Sequence, residues 1–531
     1  MKARWLVAAG MASWTVVAGC ATEPGVATES ARRIEIVAAP TTTEPAAPPS
    51  TEPPSTDPPA TEPPATEPTD PPVATAPDDP GDPGGTTPTT VPPSGDLIDV
   101  GDAKSPREYD DFVRAALIDI QAWWGEQYPE IYGAPFQPLA GGVYVAYPER
   151  TTPIPGCETG APTTYEEIKL YSAFYCMQGD FMVYDDGQDG VLYGLAEEFG
   201  PSILGVVLAH EFGHAIQARS GVLSKTLPTI TTEQQADCFA GAWVARAAAG
   251  EAPGIDFTDA DVRTGLIAMI AVRDPKGVDQ LDPGGHGSAF DRVGAFQVGF
   301  SEGAGRCAEL IEAPLPLVPN TFRQGDSIDG NSPFGYDEGD GVTPPDIVPI
   351  ITADLNVYWP QLLASLNITL PQLTVVPVQS AGEIACADPA GDFTTGAIYC
   401  AATGQVFFDD ALARDLYTRF GDFVVGYIIG GAWSEAVQQA LGSPLSGEDR
   451  ALVDDCLTGA WVGTILPDAN DDTARQARIE PGDLDEAIQT ALVVGDPAST
   501  DDVLGSGFEK IASFRQGVLE GIDACTARIG E

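Results

Sequence analysis

From residue 97 onward the sequence runs through an ordered set of short blocks and then runs through the same set again. "DIQAWW" ending at Trp124 returns as "DLNVYW" ending at Trp359, "FYC" ending at Cys176 as "IYC" ending at Cys400, and "VYDD" ending at Asp186 as "FFDD" ending at Asp410. "ADCFAGAWVA" from Ala236 matches "DDCLTGAWVG" from Asp454, and "FDRVGAFQVGFSEGAGRC" (Phe290 to Cys307) matches "FEKIASFRQGVLEGIDAC" (Phe508 to Cys525). Blocks that keep their order with a slowly drifting offset are the mark of a duplicated unit. The expectation is two copies of one domain, 97–322 and 346–531, joined by the polar, Gly- and Pro-rich passage 323–345.

The cysteines follow the repeat. Of nine, Cys20 stands apart, and the other eight fall four to a copy in matching order. Pairing within copies needs the fewest assumptions: Cys157 with Cys176, Cys238 with Cys307, Cys386 with Cys400 and Cys456 with Cys525. Apolar residues at helical spacing predict helices over 109–128, 203–219, 234–249, 259–272 and 290–311, with β-rich stretches at "GVYVAY" (142–147) and "FMVYDD" (181–186). The fold class expected is α+β, predominantly helical.

The N-terminal part reads differently. Lys2 and Arg4 precede an apolar run from Trp5 to Val17, suited to an export signal over 1–19 and shorter than the roughly 20 residues that span a bilayer. "VAGC" at Val17–Cys20 resembles the lipobox of bacterial lipoproteins, and that resemblance implies cleavage before Cys20, lipidation of its thiol and an extracytoplasmic, membrane-anchored protein. An oxidising compartment suits the even cysteine count. Residues 20–96 are read as a disordered linker, in which the stretch from about Ala39 to Gly95 is rich in Pro, Thr, Glu, Ala and Asp with almost no large apolar side chains, which predicts an extended stalk able to reach on the order of 150 Å. A formal charge of -52 repels nucleic acid and anionic lipid, so no nucleic-acid partner is expected.

Two of the three histidines lie in "LAHEFGHAIQ" (208–217). His210 and His214, one helical turn apart, can reach one ion, and Glu211 can approach the water on it. "EQQADC" supplies Glu233 as a third ligand, and Asp237, one turn further, can accept the outer N–H of a ligand histidine. Together with "YC..D" (Tyr175, Cys176, Asp180) and "HGSAFDR", these blocks over about Leu97 to Ile311 resemble the bacterial family of putative neutral zinc metallopeptidases. That resemblance implies a zincin-like fold in each copy, one Zn2+ held by His210, His214 and Glu233, Glu211 as general base in hydrolysis, and a protein or peptide substrate. His286, in the Gly-rich loop "GGHGSAFDR", is the candidate donor to the oxyanion.

The second copy serves as a comparison. "GGAWSEAVQ" from Gly430 aligns with "AHEFGHAIQ" from Ala209, so Gly431, Ala432 and Glu435 stand opposite His210, Glu211 and His214. Ala451 stands opposite Glu233 and Leu504 opposite His286, while Asp455, Gly459 and Trp461 repeat Asp237, Gly241 and Trp243. A degenerate, catalytically inactive second domain is expected. The alternative, from a different class, is a non-catalytic zinc-binding scaffold or binding lipoprotein of the cell envelope.

Overall fold

A computed structural model describes residues 97–157, 162–276, 278, 281, 284–318, 330–386, 395–467, 475–494 and 506–530. Cys20, the export signal and the Pro/Thr/Glu-rich segment lie outside these residues, as does Leu504.

The first half contains β1 (Ile98–Asp99), α1 (Asp110–Tyr132), β2 (Gly142–Ala146), α2 (Tyr165–Ile168), β3 (Ala173–Cys176), β4 (Phe181–Asp185) and α3 (Val191–Phe199). The long helices follow: α4 (Ser202–Ser220), α5 (Thr229–Ala248), α6 (Asp259–Ala271) and α7 (Ala289–Glu309). Its sheet has the order β1-β2-β4-β3, with β2 parallel to β4 and β3 antiparallel to it. The second half contains α8 (Ile347–Ser365), β5 (Thr374–Val378), β6 (Ala397–Cys400), β7 (Gln405–Asp409) and α9 (Asp410–Arg419). It continues with α10 (Phe423–Leu441), α11 (Gly447–Gly463), α12 (Asp483–Val494), α13 (Gly507–Glu520) and α14 (Ile522–Ile529). Its sheet order is β5-β7-β6, again with one parallel and one antiparallel neighbour for the central strand. The class is α+β and mostly helical, as the periodicity predicts.

The recurring residues are those that fix the packing. Trp243 donates to Asp119 at 3.0 Å and Trp461 to Asp354 at 2.9 Å, each carboxylate also being held by an arginine, Arg246 or Arg475. The four bridges Cys157–Cys176, Cys238–Cys307, Cys386–Cys400 and Cys456–Cys525 are formed, and the two longer ones each close a separation of 69 residues. Gly241 faces the Phe296 carbonyl across the α5–α7 contact, and Gly459 faces the Phe514 carbonyl across α11–α13; a Cβ at either would strike backbone. Small residues are what let these helix pairs approach so closely.

Differences from the expectation are local. α7 is broken at Gly303, whose φ of 80° and ψ of 178° interrupt the helix read through to Ile311. α5 begins at Thr229, a full turn before the apolar pattern starts, which places Glu233 inside the helix. β1, α2 and α3 are too short or too plain in pattern to be read from sequence. The described residues from Leu97 onward belong to one compact unit, and one apolar cluster contains Trp243 and Trp461 alike.

α4 is the helix around which the first half is built. Every residue from Ser202 to Gln217 is buried, so the helix has no solvent face to receive its polar side chains. Burying His210, Glu211, His214 and Gln217 is costly unless each meets a partner or an ion. That requirement defines the site.

Candidate metal centre

α4 and α5 bring together His210, His214 and Glu233, each with a ligand atom within 4.8 Å of the others. Nε2 of His210 lies 3.4 Å from Glu233 Oε2, and Nε2 of His214 lies 3.6 Å from Glu233 Oε1. The two imidazoles, one turn apart, stand edge to face with centroids 4.8 Å apart. Glu211, on the same helix between them, is completely buried. Neither oxygen of Glu233 nor Nε2 of His214 has a hydrogen-bond partner among the described residues. Three orphaned buried ligand atoms facing one point can hold a metal ion.

The outer nitrogens are held. Asp237 Oδ1 is 2.8 Å from His210 Nδ1, and Gln217 Oε1 is 3.0 Å from His214 Nδ1. Both contacts fix the tautomer that presents Nε2 to an ion. Asp237 is in turn clamped by Arg292 of α7, whose Nε and Nη2 donate at 2.9 and 2.7 Å, and Gln217 donates to the Thr232 carbonyl at 2.6 Å. Arg292 also donates to the Val272 carbonyl at 2.6 Å.

Charge follows this geometry. Burial alone would raise the Glu233 carboxyl, but His214, then His210 and His286, outweigh it and hold it well below the usual range. Burial also opposes ionisation of Asp237, and Arg292 and then His210 overcome it, keeping that carboxylate charged.

His286 is buried rather than solvent-exposed. Its amide donates to Asp274 Oδ2 at 2.7 Å, its Nδ1 lies 3.2 Å from Asp274 Oδ1, and the Gly287 amide donates to the same carboxylate at 2.7 Å. Gly287 turns the loop at a φ of 104°, where a Cβ would meet Ile230 of α5. Burial pulls the imidazole pKa down, and the Asp274 bond followed by the Glu233 charge raise it above the ordinary value.

Sequence reasoning names His210, Glu211, His214, Glu233, Asp237 and His286, and all six are buried in this one region, the first five on α4 and α5 and His286 on the loop before α7. It assigns no role to Arg292, Asp274 or Thr232. Arg292 carries a signal in retrospect, because Lys510 repeats its charge at the matching position.

A second grouping, Asp422, Asp483 and Glu486, also has ligand atoms within 4.8 Å of one another. It contains carboxylates alone, and Lys276, the Ser332 amide and the Phe423 amide already donate into it. Burial pushes Asp422 up to about 6 and Glu486 up to about 7.

Comparison with known proteins adds the family. Residues 337–506 match the family described as putative neutral zinc metallopeptidase. The matched stretch covers the half in which Gly431, Ala432 and Glu435 stand opposite His210, Glu211 and His214. What that half shares with the first is the frame: α4 and α10 are both 19 residues long, and both end on a left-handed glycine, Gly221 or Gly442.

Among curated proteins, the chain is 32% identical over 135 residues to the uncharacterized protein Rv2575 of Mycobacterium tuberculosis, covering 22% of this chain and 46% of that protein. It is 26% identical over 166 residues to the uncharacterized protein YpfJ of Escherichia coli, covering 28% of this chain and 54% of that one. The chain thus spans about half the length of these relatives. No solved structure matches it.

The residues present fit the ion that the family name implies. Two ligand atoms each about 2.1 Å from a tetrahedral zinc lie about 3.4 Å apart. The two observed N···O separations, one to each oxygen of the Glu233 carboxylate, are 3.4 and 3.6 Å.

Proposed function

We propose that this chain is an exported, lipid-anchored, zinc-dependent metallopeptidase of the cell envelope, anchored through Cys20 and hydrolysing peptide bonds in its first half. The observation that carries the reading is the convergence of His210, His214 and Glu233 on one point with Glu211 on the same buried helix. In the proposed arrangement these three residues hold one zinc ion, and Glu211 is the general base. A zinc ion there would supply Lewis acidity and bring the pKa of bound water towards roughly 7.

Glu211 takes the proton of the attacking water at its carboxylate and hands it to the leaving amine. His286, with Nδ1 turned to Asp274, uses Nε2 as the donating nitrogen towards the developing oxyanion. Asp237 and Gln217 hold the ligand imidazoles in register. The second half is a degenerate copy of the same zincin-like domain, with Gly431, Ala432, Glu435 and Ala451 in place of the chemical groups.

The scaffold reading has one observation of its own: His210, Glu211, His214 and Glu233 are all 1% exposed or less, as in a structural metal site. A base beside the ligands favours catalysis, since a structural site has no use for it. The two readings part in one experiment, comparing wild type with Glu211→Gln for bound zinc and for cleavage of a broad peptide library. Equal zinc in both and cleavage by wild type alone is the expected result. Zinc in both with no cleavage by either would leave the scaffold.

A further inference from the structure

The second half reaches the supports of the metal centre at two points. Asp485 of α12 accepts from the Phe290 amide at 3.3 Å through Oδ1, and its Oδ2 lies 3.0 Å from Arg273 Nε. Arg273 precedes Asp274, which holds His286, and Phe290, in the first turn of α7, lies two residues before Arg292. One carboxylate therefore grips both the entry and the exit of the His286 loop. Arg515 of α13 donates to the carbonyl of the same Phe290 and lies 4.2 Å over its ring. Gly294 makes room for it, since a Cβ there would collide with the guanidinium.

This contact is reciprocal in sequence and unequal in strength. Gln297 occupies the position of Arg515, Phe508 that of Phe290, and Gln297 donates to the Phe508 carbonyl at 2.8 Å. The halves thus grip one another through the same pair of positions, as two-fold related subunits do. The charged arm, worth more than the neutral one, is the arm directed at the half with the metal ligands.

We propose that the second half is an intramolecular brace for the metal centre, with Asp485 and Arg515 as positioning residues. They hold the His286 loop and the start of α7, and through Arg292 and Asp237 the orientation of His210. The proposal rests on the zinc-peptidase reading for its zinc and catalytic readouts, and the hydrogen-exchange readout is independent of it.

The test uses the full chain, comparing Asp485→Ala and Arg515→Gln with Asp485→Asn, which keeps an acceptor for the Phe290 amide. Asp354→Asn is the control, because the bonds it weakens, from Trp461 and Arg475, both lie in the second half. In Asp485→Ala, hydrogen exchange over residues 284–292 should quicken about tenfold, the worth of one hydrogen bond to a charged group. Zinc affinity by chelator competition should fall about tenfold, as for supports behind a ligand shell, and kcat should fall with KM little changed. Asp485→Asn should retain most of the protection, and Asp354→Asn should match wild type in all three readings.

Wild-type exchange and zinc affinity in Asp485→Ala and Arg515→Gln would overturn the brace, as would equal losses in Asp354→Asn. If wild type binds zinc and cleaves nothing, the peptidase reading fails alone, and the brace is decided by exchange and zinc affinity.

Discussion

Replacing Arg292 with Met tests the link between the frame and the metal centre, because it removes a cation while keeping most of the volume. Arg292 is fully buried and holds Asp237 through two bonds, and Asp237 is equally buried. Removing one partner of a buried, hydrogen-bonded ion pair costs about 3–5 kcal/mol. Arg292→Met should lower the unfolding free energy by about that amount and zinc affinity by about 10–100-fold, through loss of the group that steers His210. Arg292→Met with Asp237→Leu should recover much of the stability, since no charge is left buried alone, and should recover none of the zinc affinity.

The pH dependence has a definite sign. Asp237 is held below its ordinary pKa, so its contribution is complete above about 4 and is lost as pH falls through the folded value. Without Arg292 the folded value rises, and that acid-side loss should shrink. Urea unfolding of the zinc-free protein at pH 7 and at about pH 3, below the ordinary carboxylate range, with chelator competition at pH 7 for zinc affinity, reads all of this. An Arg292→Met protein within about 0.5 kcal/mol of wild type, the spread of ordinary surface changes, and with unchanged zinc affinity would refute the linkage.

Removing Cys238–Cys307 or Cys456–Cys525 by serine substitution should cost a similar amount, about 4 kcal/mol each from equal loops; only the first should also weaken zinc binding, because Cys238 adjoins Asp237. Gly459→Ala should lower the melting temperature by forcing α11 away from the Phe514 carbonyl, at about 1–3 kcal/mol, and an unchanged melting curve would contradict the close approach. Asp274→Asn should move the alkaline limb of kcat/KM to lower pH, because the bond that raises the His286 pKa is weakened; a limb that does not move would remove His286 as the donor. Glu486, raised to about 7, contributes stability that is complete below its unfolded value near 4 and is lost as pH rises through 7. Glu486→Gln should flatten stability over that window, read by thermal unfolding.

The parts of this molecule legible in the sequence are those with a period or a repeat. α4 is readable because its apolar residues and its HExxH share helical spacing, and the cysteine pairs because two copies carry them in the same order. Arg292 stands in plain view in the block before Cys307, yet its role depends on α7 crossing α5, a tertiary fact that no local pattern carries. Asp274 lies in a stretch between α6 and α7 without periodicity, so nothing in sequence ties it to His286. Asp485 and Arg515 act across the two halves. Their only sequence trace is divergence, Arg515 against Gln297, and a difference between copies does not say what the changed residue touches.

Asp455 poses the remaining question, since it repeats Asp237 in a half where the aligned ligand positions carry no histidine. In that half Lys510 Nζ lies 2.9 Å from Asp455 Oδ2, and the Tyr427 hydroxyl donates to Oδ1 at 2.7 Å. Lys510 holds the position of Arg292, and Tyr427, on α10, takes over as donor from His210 of α4. The carboxylate between these helices therefore belongs to the frame, and what changes is the donor on its other side. Burial raises both carboxyls, and the outcome differs with the cation: Arg292 and His210 bring Asp237 below its ordinary pKa, whereas Lys510 and Tyr427 leave Asp455 above it. A carboxylate that stays ionised keeps a proton on His210 Nδ1 and so presents Nε2 as a ligand. In the proposed arrangement the forked guanidinium of Arg292 is thus part of what would turn a structural aspartate into a support for metal binding.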